Sequence, residues 1–120
     1  MEKNSTQELK QVLQVVTSTI KNCEKMQPKF EEGTSQHSLL KNRIKALYIS
    51  KALLEGEDIT EVYSKEDLAN ALPKITSIIS KSENGIKKFK DGHSTYTRFK
   101  KIIDAMNTCK ALVLEAIDKY

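Results

Sequence analysis

Lys29-Phe30-Glu31-Glu32-Gly33-Thr34-Ser35 returns 59 positions later as Lys88-Phe89-Lys90-Asp91-Gly92-His93-Ser94. Lysine, phenylalanine, glycine and serine keep their places in the second copy. Each glycine falls where an amphipathic stretch ends, a position that favours a residue able to adopt a left-handed backbone. Both stretches therefore read as turns between two helices. Carrying the same offset outward superposes residues 5–54 on 64–113 without a gap, with 17 identities in 50 positions. Chance would supply about three, and self-similarity at a fixed offset marks a repeated supersecondary unit.

Apolar residues on both sides of these turns keep a helical period. Before the turns run Leu9, Leu13, Val16, Ile20, Cys23, Gln27, Phe30 and, in the same steps, Leu68, Leu72, Ile75, Ile79, Ser82, Ile86, Phe89. After them run Leu40, Ile44, Leu47, Leu54 and Phe99, Ile102, Met106, Cys109, Val113, Ala116, Tyr120. Spacings of three and four keep such residues on one helix face, the pattern of helices that bury a stripe against neighbours in a bundle. Ser5 with Glu8 and Ser64 with Asp67 form capping-box-like starts, hydroxyl and acid three apart. Residues 55–63 carry no stripe and form the linker.

The expected architecture is all-α, an antiparallel four-helix bundle of two duplicated hairpins, 5–54 and 64–113, in one domain spanning 1–120. Helices are expected near 5–32, 36–54, 65–90 and 94–119. Pro28, Pro73 and the Asn84-Gly85 pair are expected to bend helices without ending them, because the stripe keeps its phase across each. Ala46, Ala52, Ala105 and Ala111 mark places of close helix approach.

The composition suits a small folded domain, since 38% hydrophobic residues can fill one core while 30% charged residues keep the exterior wet. Cys23 and Cys109 lie 86 positions apart, which excludes a CxxC redox pair or a zinc spacing. Both are expected to be reduced and buried. No stretch approaches the roughly 18 apolar residues of a membrane span, and a cytoplasmic location is expected.

Candidate chemistry is sparse. His37 and His93 fall beside the turns with Glu31, Glu32 and Asp91, but no Glu-x-x-His pair points inward as in carboxylate-bridged metal bundles, so neither metal nor cofactor is expected. The glycines stand singly, without a phosphate-cradling loop, and no nucleophile with a positioned base is visible. The chain does not read as an enzyme.

Charge is the most informative surface feature. The net charge is +4, and Lys81, Lys87, Lys88, Lys90, Arg98, Lys100 and Lys101 outnumber Glu83 and Asp91 within residues 81–101. Eighteen of the 20 bases are Lys, which disfavours sequence-specific DNA reading by bidentate guanidinium contacts. The expected function is a non-enzymatic protein–protein interaction module, with Lys87, Lys88, Lys90, Arg98, Lys100 and Lys101 as the candidate contact. The alternative is an anion binder using the same bases on nucleic acid or an anionic membrane surface, with Phe89, Tyr96 and Phe99 interleaved. Leu39, Tyr48 and Ile49 are candidates for a second, self-associating interface that would make a homo-oligomer.

Overall fold

The computed structural model describes residues 6–120. It contains α1 (Thr6–Met26), α2 (Ser35–Leu54), α3 (Lys65–Ile86) and α4 (Ser94–Asp118), with a short 3-10 helix at Gln27–Lys29. No strand occurs among the described residues, and the all-helical, four-helix expectation holds. No helix among them is long and apolar enough to cross a membrane.

Helix starts follow side-chain capping. Ser64 accepts from the Asp67 backbone while Asp67 returns a bond to the Ser64 N–H, a complete capping box. Thr34 and His93, 59 positions apart, both cap by side chain: Thr34 Oγ1 accepts from the His37 N–H and His93 Nδ1 from the Thr95 N–H. The expected Ser5 cap lies outside the described residues. Gly33 and Gly92 take positive φ of 88° and 94°, the left-handed geometry that glycine supplies without Cβ strain.

The stripes are the core. Val16, Ile20, Cys23, Leu40, Leu47, Leu68, Ile75, Ile79, Met106, Cys109 and Val113 are all buried. Ala46 and Ala105 are buried as well, whereas Ala111 faces solvent. The two cysteines are free and buried. Helix α1 packs against α2 and α4, α3 packs against the same two, and α2 and α4 touch each other, leaving α1 and α3 at opposite corners. The molecule measures 44 × 42 × 19 Å, a slab about two helix diameters thick.

Several expectations need correction. Pro28 does not bend α1; the α-helix ends at Met26 and a tighter 3-10 turn takes over. Proline lacks an N–H and its ring crowds the carbonyl one turn back, so the α ladder cannot continue through it. The third helix stops at Ile86, short of residue 90, with Lys87 as its C-cap. Pro73 and Asn84-Gly85, in contrast, stay inside α3. Ile49 is fully buried and unavailable to a second interface, because it lies on the α2 side that meets α3. Leu39 and Tyr48 are exposed, and the Tyr48 hydroxyl donates to Glu24 at 2.8 Å.

The linker is more ordered than its polarity suggests. Gly56 turns the chain with φ 75°, Asp58 accepts bonds from the backbone and hydroxyl of Thr60, and Ile59 between them plugs into the core. Tyr120, expected on a buried stripe, lies beyond the end of α4 and is exposed, its hydroxyl donating to the Tyr63 carbonyl.

Candidate functional site

The six candidate bases are all exposed. Arg98 and Lys101 line the groove between α1 and α4. Lys100 leaves α4 about 200° round the helix from Arg98 at 100° per residue, so it faces away from that groove. Lys87, Lys88 and Lys90 sit on the turn, where the Lys88 N–H bonds the Gly85 carbonyl at 3.1 Å and the Lys90 carbonyl accepts from the His93 N–H at 3.0 Å. The aromatics between these bases pack on one another. Phe89 lies 5.0 Å from the His93 ring and 6.2 Å from Phe99, all tilted. Phe99 in turn covers Gly85 so closely that a Cβ there would approach its ring to 2.7 Å.

The histidines and acids near the turns do not assemble a metal centre: among the described residues no three His, Cys, Asp or Glu side chains converge. His93 is committed to its helix as a cap through Nδ1.

Two outward grooves carry the most structure. The first, about 360 Å³, runs between α2 and α3 and is lined by Asn42, Lys45, Ala46, Ile49, Asp67, Asn70, Ala71, Pro73 and Lys74. The second, about 510 Å³, runs between α1 and α4 and is lined by Glu8, Gln11, Val12, Gln14, Val15, Lys101, Asp104, Ala105 and Thr108. Every residue of the second has its counterpart in the first at the offset of 59. On one wall Glu8 answers to Asp67, Gln11 to Asn70, Val12 to Ala71, Gln14 to Pro73 and Val15 to Lys74. On the other Lys101 answers to Asn42, Asp104 to Lys45, Ala105 to Ala46 and Thr108 to Ile49. Only the alanine pair is identical.

The frames match while the chemistry differs. Across the α2–α3 groove, Lys45 Nζ donates to Asp67 Oδ1 at 2.8 Å. That bond first, and the Ser64 N–H second, hold the Asp67 carboxyl below its ordinary 3.8. The α1–α4 groove has Asp104 where the other has Lys45. It continues past Val15 and Lys101 into a second hollow of about 250 Å³ lined also by Ser18, Thr19, Asn22, Arg98 and Ile102.

A further pair at the same offset meets inside the core. Ser50 and Cys109 are fully buried, and Ser50 lies near enough to act on the Cys109 thiol. Ser50 Oγ donates to the Ala46 carbonyl at 3.0 Å. Burial pushes Cys109 up to about 11, against a smaller opposing pull from Ser50. Burial also raises Cys23, partly offset by the nearby Arg43. Neither thiol has the depressed pKa of a nucleophile.

The grooves were not singled out by sequence. The signal available in the sequence was the offset of 59: nine pairs of positions at that offset, eight of them not identical, line the two grooves. No family model matches the chain, and no curated protein or solved structure matches it significantly.

Proposed function

We propose that this chain is a cytoplasmic, non-enzymatic binding module that works by protein–protein contact, on an antiparallel bundle made by duplicating one helical hairpin. The duplication is supported by the nine-for-nine correspondence of the groove residues and by the paired caps Thr34 and His93. It is supported also by the meeting of Ser50 with its counterpart Cys109. A residue touches its own equivalent only near a two-fold axis, as in an isologous dimer.

The observation that carries the binding reading is the divergence of one groove from its twin. Eight of nine lining positions differ, and the α1–α4 groove extends to Arg98 and Lys101, two of the six candidate bases. Positions that only maintain the frame, such as Ala46 and Ala105, have stayed alike. The test is retention of a specific protein from source-cell lysate by the immobilised chain, compared with an Arg98→Glu/Lys101→Glu variant of intact helicity. Loss of that protein in the variant supports the reading. Equal retention, or nucleic acid or lipid as the retained species, contradicts it.

A second reading, anion binding, is favoured by the exposure of Lys87, Lys88, Lys90, Arg98, Lys100 and Lys101 around one turn. It predicts a salt-dependent affinity for polyanions, each neutralised phosphate adding about 0.9 to the log–log slope on duplex DNA. A Lys87/Lys88/Lys100/Lys101→Glu variant that keeps its polyanion affinity at low salt would remove it. The packing of Phe89 against His93 and Phe99 weakens the case, since those rings are not set out as a stacking platform.

A further inference from the structure

The protein-binding reading does not say what kind of surface fits the groove, and the groove's own chemistry does; the inference that follows rests on that reading. We infer that the α1–α4 groove docks an amphipathic α-helix of a partner protein, with acidic side chains at the end that meets Arg98 and Lys101.

The dimensions are those of a helix. The joined hollows run from Glu8 to Asn22 along α1, about 21 Å at 1.5 Å per residue, or four turns of an occupant. The floor is apolar and shallow: Val12, Val15, Ile102 and Ala105 line it, and the small Ala105 lets a backbone approach closely. Apolar side chains at three- and four-residue spacing on an incoming helix would lie along this strip, as in helix-in-groove recognition. Gln14, Ser18 and Asn22 on the α1 wall suit polar flanks.

Charge complementarity selects the occupant and its direction. Arg98 stands at one end of the groove and Lys101 at the junction of its two hollows, while Glu8 and Asp104 line the other half. A uniform polyanion would have to run past Asp104 and is disfavoured. A helix with acids near its C-terminus matches both ends, because its dipole also places negative charge there. The partner helix therefore runs in the chain direction of α1. The α2–α3 groove does not offer this seat: Lys45 and Asp67 bridge it, and Pro73 and Lys74 replace Gln14 and Val15.

The test uses the full chain, isotopically labelled, and a synthetic helical peptide of about 15 residues. The peptide carries Leu and Ala along one edge, Lys in its first turn and Glu in its last two; a second peptide has every Glu replaced by Lys. Saturable amide shifts at Val12, Val15, Ile102 and Ala105 are expected with the acidic peptide. Arg98→Glu/Lys101→Glu should weaken that peptide at least tenfold and strengthen the lysine peptide. Saturable binding on another face overturns the groove assignment and leaves the protein-binding reading standing. No binding of either peptide up to about 1 mM overturns the helix-docking inference. If an RNA oligonucleotide then binds in a salt-dependent way, the protein-binding reading falls with it.

Discussion

The α2–α3 groove and the α1–α4 groove are lined by nine pairs of residues, each pair 59 positions apart, yet one is bridged by Lys45 and Asp67 while the other carries Asp104 at the Lys45 position. The difference separates what a helical frame requires from what it leaves free. Frame positions are set by packing, where loss of a methylene is felt; groove positions face water and tolerate substitution. Under the proposed duplication, one groove carries an internal clasp between Lys45 and Asp67, and the other is the seat proposed for a partner.

The comparison is most exposed at Leu47 and Met106, which are equivalent and both fully buried. Each mutated to Ala should cost about 2–5 kcal/mol in urea unfolding. A cost below about 1 kcal/mol at either position would mean that the two hairpins do not share one core. A smaller effect separates Gly85 from its counterpart Met26. A Cβ at Gly85 would crowd the Phe99 ring at 2.7 Å, so Gly85→Ala should destabilise by about 1–3 kcal/mol, partly offset by up to about 1 kcal/mol of helix propensity. Met26 is exposed, and Met26→Ala should stay within about 0.5 kcal/mol. Adding Phe99→Ala should remove the penalty at Gly85; a penalty that persists would show that the ring is not its cause.

The clasp predicts a pH effect in the acid range. Asp67 has a folded pKa below its ordinary 3.8, first through the Lys45 bond. A depressed carboxyl stabilises the fold above its unfolded value, and the contribution drains away as pH falls through the folded value. Wild type should therefore exceed Lys45→Met in stability at pH 7, with the gap closing below about pH 4. No gap at neutral pH would mean that the bridge does not hold the groove.

Much of this was legible in the sequence, for physical reasons. The three- and four-residue stripe maps directly onto burial, so Val16, Leu47, Ile75 and Val113 were readable as core. Gly33, Gly92 and the Ser64 cap were readable because few residues serve those backbone positions. Three features were not. Ile59 lies in a polar linker, where a single apolar residue has no period to betray it. The end of α1 at Met26 depended on local strain at Pro28, which the stripe's phase cannot report. The separation of Arg98 and Lys101 from Lys100 depended on which face of α4 meets α1, a tertiary fact.

The central claim is that equivalent residues of the two hairpins face each other across one axis, and Ser50 tests it most directly. Ser50 and Cys109 are both fully buried, and Ser50 acts on the Cys109 thiol; a disulfide between the two positions requires Cα atoms about 4.4–6.8 Å apart. In Ser50→Cys under mild oxidation, mass spectrometry of the folded monomer should find the introduced thiol joined to Cys109 within one chain, with Cys23 left free. A link from the introduced thiol to Cys23, or no link while both partners react freely after unfolding, would contradict it.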